Sequence, residues 1–446
     1  MEDKEYYKTA LQMAWPSVLE SFFISLAAMI DTMMVGSLGS YAIAAVGLTT
    51  QPKLIGFTAF IAISIAVSAL VARRRGQDDK YGANEVLLTA LIIALSLCIL
   101  ISFAMVFYAD TIMHLAGSNQ DTHTASVQYF TIIMAGLIFN VTAMVINAAQ
   151  RGSGNTRIAF TTNLTSSIIN IIFNYLLING NLGFPALGLR GAAFATVFGS
   201  FIAMLMSIRS LFKKQSLVQI PYIIKEKVRM HKSTAASIFN LGSNMFIENL
   251  FMRVGFLATA LTAAKLGTDS FAIYNAGMNI LSLGFSFGDG MQVAAVALAG
   301  RALGQKRPDI AVLYGQVCQR IGLIISIGLS AFLLFFGDNV MEIYFDNPEI
   351  MGEATMVTQF IMVIVLLQIS QIIFGGCLRS GGDVRYTLMA GIISVTIIRT
   401  SMTLLLVNVF LLGQMGIWLG VLSDQLSRFV LLRYRFKQGK WTQIEI

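Results

Sequence analysis

Four carboxylates in this 446-residue chain interrupt long apolar runs: Glu20, Asp31, Glu248 and Asp289. Placing a charged side chain at the centre of a hydrocarbon layer costs about 2.5–3.5 kcal/mol on insertion scales, so an acid kept there has a partner or a task. The task that suits it is cation chemistry: it takes up a proton or, with neutral oxygens around it, an alkali ion. Two polar stripes could supply such oxygens. Asn163, Ser167, Asn170 and Asn174 recur at i, i+4, i+7 and i+11, and Ser237, Asn240, Asn244 and Glu248 at i, i+3, i+7 and i+11, spacings that keep each set on one helix face. Interhelical hydrogen bonding is the plainer use of such stripes. Asp424 stands four residues before Arg428, the spacing of an intrahelical ion pair, and Arg253 or Arg399 could neutralise Glu248 or Asp289 in the same structural sense.

The elements that must position these groups are membrane helices. Hydrophobic residues make up 56% of the chain and charged ones 12%, about half the share in soluble domains, and the mean hydropathy is +0.72. Twelve apolar runs follow one another from Leu11–Leu38 to Gly416–Leu432, separated by short turns. The strictly alternating segments of a strand barrel do not occur. Cys98, Cys318 and Cys377, and His114, His123 and His231, match no disulfide framework or metal-ligand spacing, which predicts no metal centre and no cofactor. No diphosphate-binding acid pair, P-loop or nucleophile constellation is present, so the chain reads as no enzyme, and no filter-like loop points to a channel.

The net charge of +8 is distributed by side. With a cytoplasmic N-terminus, the inner connections collect Arg73, Arg74, Arg75, Lys80, Arg151, Arg157, the 209–232 segment, Arg301, Lys306, Arg307, Arg379, Arg385 and the tail from Arg433. The outer ones hold only Arg190 and Lys265, with Asp110, Asp121, Asp338, Glu342, Asp346 and Glu349. This is the positive-inside pattern; it predicts a multi-pass protein of the cell membrane with both termini in the cytoplasm. The basic excess then faces the headgroups of the lipid bilayer, and no nucleic acid partner is expected. Trp15 and Trp441, near the inner boundary, read as interfacial anchors, and Trp418 lies near the outer boundary.

The chain also repeats itself. Arg151-Gly-Ser-Gly-Asn-Thr-Arg157 returns as Arg379-Ser-Gly-Gly-Asp-Val-Arg385, an offset of 228 residues, and the same offset carries Leu38-Gly39 onto Leu266-Gly267, Arg73 onto Arg301 and Glu20 onto Glu248. The expectation is an all-α polytopic protein: twelve transmembrane helices in two six-helix bundles related by a pseudo-two-fold axis along the membrane normal. The lobes are expected at 1–211 and 233–446, joined by a basic cytoplasmic linker at 212–232. Two similar bundles that rock about a central cavity make a transporter.

Several of these motifs carry a family resemblance. Asp31-Thr-Met-Met-Val-Gly36-Ser-Leu-Gly39 closes the first helix, Ala-Leu-Val-Ala-Arg-Arg-Arg-Gly-Gln77 the second, and Gln150-Arg-Gly-Ser-Gly-Asn-Thr-Arg157 the fourth, while Asn170-Ile-Ile-Phe-Asn174-Tyr175 lies in the fifth. From Leu11 to about Lys437 the chain resembles the multidrug and toxic compound extrusion (MATE) family, of the bacterial NorM and DinF-like type. The resemblance implies a monomeric antiporter that exports small organic cationic or amphipathic compounds against inward Na⁺ or H⁺. A flippase of lipid-linked or lipid-like substrates is the alternative that the wider superfamily offers. The resemblance further implies a coupling site of Asp31 with Asn170, Asn174 and Thr196, near Tyr129 and Asn147. Na⁺ would sit at Asp31, Asn170, Asn174 and Thr196. A second cluster for substrate or ion would use Glu248, Asp289, Gln368 and Glu20, although Gln368 stands where NorM-like members have an acid and Asn174 where DinF-like ones often have aspartate. The 23 methionines and 31 phenylalanines could line an adaptable substrate surface, though lipid contact and bundle packing use most of them.

Overall fold

A computed structural model describes residues 2–342 and 348–444; Asp346 and the side chain of Glu349 lie outside the described residues. All regular structure among the described residues is helical. The long helices are α1 (Glu2–Gly36), α2 (Ser40–Gly76) and α3 (Lys80–Phe107), then, after the short α4 (Ala109–Leu115), α5 (His123–Ala135) and α6 (Leu137–Gly152). There follow α7 (Thr156–Ile178), α8 (Leu189–Ser210), the short α9 (Ile220–Lys225), α10 (Lys232–Lys265), α11 (Thr268–Gly304), α12 (Pro308–Glu342) and α13 (Pro348–Ser380). Next come α14 (Val384–Gly391) and α15 (Thr400–Asn408), joined by a π-helical stretch, Ile392–Arg399, and last α16 (Gly413–Gln438).

Ten helices of the described residues are long and apolar enough to cross a membrane, and eleven when α5 and α6, bent by 46°, count as one span. The twelfth expected span is α7. Its 23 residues reach about 35 Å, enough to cross, but Asn163, Asn170 and Asn174 make it more polar than its neighbours. Large apolar side chains stay exposed in bands, as with Ile99, Leu100, Phe103 and Phe107 on α3 and Ile324, Leu334 and Phe335 on α12. Bands of that size belong against lipid, and the chain is a multi-pass membrane protein.

The helices gather into two compact units, one of residues Leu19–Gly242 and one of Met1–Val18 with Ser243–Ile446. These bounds differ from the sequence halves, 1–211 and 233–446, at both ends. The start of α1 packs with the later unit, where Ala10 and Ala14 are buried beside Ala294, Leu298 and Cys318. The 212–232 segment folds onto the earlier unit: Asn84 at the start of α3 accepts from the Gln219 amide and donates to the Leu217 carbonyl, and Glu85 receives the Thr234 hydroxyl and faces His231. The linker is thereby part of a folded unit.

The repeat is written into the backbone. Gly39 and Gly267 have φ of 113° and 125°, Gly154 and Gly382 have 82° and 86°, and Asp78 and Lys306 have 54° and 58°, each pair 228 residues apart. The positive-φ turns between helices therefore recur in register in the two units. The tryptophans correct one expectation. Trp441 is fully buried, stacked on Phe436 with its indole N–H on the Phe436 carbonyl, so it does not meet the interface; Trp418 is buried too, against Tyr274, and Trp15 is exposed.

Candidate functional site

In the Leu19–Gly242 unit the polar stripe of α7 divides between two places. Its later half meets Asp31 of α1. The Asn174 amide donates to Asp31 Oδ1 at 2.5 Å and to Asn170 Oδ1 at 3.3 Å, and the Asn170 amide donates to Thr196 Oγ1 of α8 at 3.0 Å. The Thr196 hydroxyl donates in turn to the Ala192 carbonyl, and the Tyr129 hydroxyl of α5 reaches Thr196. The short reach between α7 and α8 depends on two glycines that flank Thr196. A Cβ on Gly191 would stand 2.4 Å from the Leu177 carbonyl oxygen, and one on Gly199 2.8 Å from that of Ser166. Asn174 is fully buried and its Oδ1 has no hydrogen-bond partner among the described residues. The pocket thus offers one carboxylate, an unused amide oxygen and further amide and hydroxyl oxygens, a donor set that fits a hard monovalent cation or a proton on the carboxylate.

One member of this pocket had no part in the sequence reading. Lys53, on α2 beside Pro52, holds its ammonium 5.2 Å from the centroid of the Tyr129 ring and interacts electrostatically with Asp31. It makes no hydrogen bond or close ion pair among the described residues. Asp31 and Lys53 together leave the pocket formally neutral, with the ammonium within electrostatic reach of the carboxylate but not in contact with it. The only signal in the sequence was a lone lysine inside an apolar run.

The earlier half of the stripe turns to Glu20. Arg151, at the end of α6, and Asn163 both donate to Glu20 Oε1, and these three line a cavity of about 370 Å³ with Asn140, Asn147 and Ser167. Asn147 accepts from Ser207 and faces this cavity, so it is not brought into the Asp31 cluster. Glu20 likewise lies in the other unit from Glu248, Asp289 and Gln368.

In the later unit Glu248 is held by Arg379, at 2.7 Å, and by the Thr387 hydroxyl. Its cation is neither Arg253 nor Arg399, the two arginines that sequence offered, because the end of α13 carries Arg379 onto α10. Asp289 of α11 remains accessible, feels the Arg379 charge and has no hydrogen bond of its own among the described residues. Gln368 is fully buried in α13, and a Cβ on Gly284 would stand 2.4 Å from its Oε1, so it packs against α11 rather than joining Glu248. Arg399 ends the π-helical stretch and reaches Thr259 Oγ1 at 3.0 Å and Asp424 Oδ2 at 3.4 Å, over the Phe256 ring. Arg428 holds the other oxygen of Asp424 at 2.8 Å, the intrahelical pair expected from its spacing.

Comparisons with known proteins match the chain over nearly its whole length. The MatE family model matches the chain twice, over residues 16–176 and 245–405. A probable multidrug resistance protein NorM from Thermotoga maritima is 25% identical over 99% of this chain and 94% of its own length, and one from Bacillus cereus is 26% identical over 92% and 91%. Among solved structures, a MOP superfamily transporter from Pyrococcus furiosus superposes with a TM-score of 0.90 at 21% identity, covering 99% of this chain and 97% of that one. An outward-facing multidrug resistance MATE family transporter gives a TM-score of 0.89 at 22% identity over 98% and 97%.

Proposed function

We propose, from the premise that the chain belongs to the MatE family of membrane transporters, that it is a cation-coupled antiporter. In this reading it exports small organic cationic or amphipathic compounds by alternating access, as a monomer of the cell membrane with both termini in the cytoplasm. The observation that carries the coupling is the Asp31 pocket. An ionised carboxylate held within a membrane span is costly until a cation or proton neutralises it, so the loaded state is the one that can close. Asn174 Oδ1, buried and unpartnered, and the Thr196 and Tyr129 hydroxyls are the neutral ligands that Na⁺ would use. A proton would need Asp31 alone. Relatives bearing the name of multidrug resistance proteins support the substrate class.

Uptake of a fluorescent organic cation into everted vesicles, driven by an imposed Na⁺ gradient or pH gradient applied separately, tests the reading. One gradient should drive uptake and the other should not. Uptake indifferent to both, or movement of a labelled lipid headgroup in place of the organic cation, would overturn it.

A further inference from the structure

Two of the three histidines meet where α4 turns into α5. His114 lies one helical turn after Asp110, and His123 is the first residue of α5. The intervening turn folds them together. The Asn119 carbonyl accepts from the His123 amide at 2.8 Å, and its side-chain oxygen accepts from the amides of Asp121 and Thr122 and from the Thr122 hydroxyl. Buried Ala109 and Met113 fix α4 from below. The two imidazoles consequently stack, with ring centroids 3.9 Å apart and planes at 22°. His123 Nε2 stands 2.9 Å from Asp110 Oδ1, His114 Nε2 stands 3.8 Å from Asp110 Oδ2, and one ligand atom from each residue lies within 4.8 Å of the others.

We infer that Asp110, His114 and His123 form a binding site for a divalent transition-metal ion, Zn²⁺ in the first instance. Two imidazoles and one carboxylate are borderline ligands that suit Zn²⁺, Co²⁺ or Ni²⁺; Mg²⁺ and Ca²⁺ require oxygen throughout. With metal–ligand bonds of about 2.0–2.2 Å the ligand atoms must sit about 3.3–3.6 Å apart, so the imidazoles splay from their stack and the His123–Asp110 contact opens slightly, shifts that the exposed side chains of Asp110 and His114 allow. Ser118 is the orienting group. Its hydroxyl lies 2.7 Å from His123 Nδ1, so that nitrogen is spoken for and Nε2 faces the metal position. Three protein ligands leave the remaining positions to water.

Calorimetric titration of the full-length detergent-purified protein with Zn²⁺ alone tests this, with Co²⁺ absorption as a second reading of histidine ligation. One equivalent should bind, His114→Ala and His123→Ala should each weaken it at least tenfold, and His231→Ala, which touches Glu85 instead, should leave it unchanged. Because the altered residues lie at an exposed turn, helix content by circular dichroism should not move. The site is refuted by the absence of saturable binding up to about millimolar Zn²⁺. It is equally refuted by unchanged affinity in the His114→Ala/His123→Ala double variant, or by equal affinity for Mg²⁺.

Discussion

Arg379 donates to Glu248 at 2.7 Å, and the two stand 131 positions apart in the chain, the separation that also joins Arg151 to Glu20 in the other unit. Each unit ties a helix-end arginine to a buried acid, and the pairing repeats with the 228-residue offset. This relationship turns Glu20 and Glu248 from free acids into partners.

The first prediction follows from that pairing. Arg379→Met leaves Glu248 buried without its cation, a change that costs about 3–5 kcal/mol in comparable sites. Thermal unfolding in detergent should therefore fall by several degrees, and the Glu248→Gln/Arg379→Met double variant should recover most of the loss. A single variant as stable as the parent would mean that the ion pair has no structural role.

Asp31→Asn should behave in the opposite way. It keeps the shape of the pocket and can still bond Asn174, so expression and thermal stability should hold. Gradient-driven export should fall at least a hundredfold, because a permanently neutral side chain neither takes up nor releases a cation. Undiminished coupling in a well-expressed Asp31→Asn protein would move the coupling site to Asp289.

Lys53→Met removes the ammonium that lies within electrostatic reach of Asp31. The concentration of the coupling ion that half-saturates transport should drop about tenfold, equivalent to about 1.4 kcal/mol. An unchanged or higher half-saturating concentration would mean that Lys53 acts on substrate or packing and not on the cation.

A backbone approach sets the fourth prediction. A Cβ on Gly255 of α10 would stand 2.4 Å from the Val395 carbonyl oxygen in the π-helical stretch. Gly255→Ala should destabilise the protein by about 1–3 kcal/mol through overpacking, read as a lower unfolding temperature. Wild-type stability would show that the stretch gives way without strain.

The fifth concerns orientation. Cys98, Cys318 and Cys377 are all buried, so one introduced thiol can be read against a silent background. A membrane-impermeant reagent applied to whole cells should label Asp121→Cys and spare Lys440→Cys, both exposed positions. The reverse pattern would invert the topology.

What sequence made legible was whatever one helix or one turn encodes. The stripe from Asn163 to Asn174 announced a polar face through spacing alone, and the Arg151 and Arg379 motifs announced the duplication. What it hid depends on pairs of helices. Spacing could not divide the stripe between Asp31 and Glu20, because that division is made by α1 and α6. Arg151 and Arg379 read as loop charges, yet each bends back to a buried acid. Lys53 has no patterned neighbour on α2, and its meaning comes from Asp31 on α1 and Tyr129 on α5. His114 and His123 match no ligand motif because a turn of the backbone, not a regular spacing, brings them together.

The cluster of Thr259, Arg399 and Asp424 has a wider consequence. Moved back by 228 residues, Thr259 falls on Asp31 and Asp424 on Thr196, so the later unit has at the corresponding place a guanidinium already seated between a hydroxyl and a carboxylate. At that place the later copy carries a cation that is covalently its own. An ion on a side chain cannot be traded across a membrane. The two halves share a geometry but differ in what it holds: in the later one this place is a rivet that fastens α10, the π-helical stretch and α16 to one another.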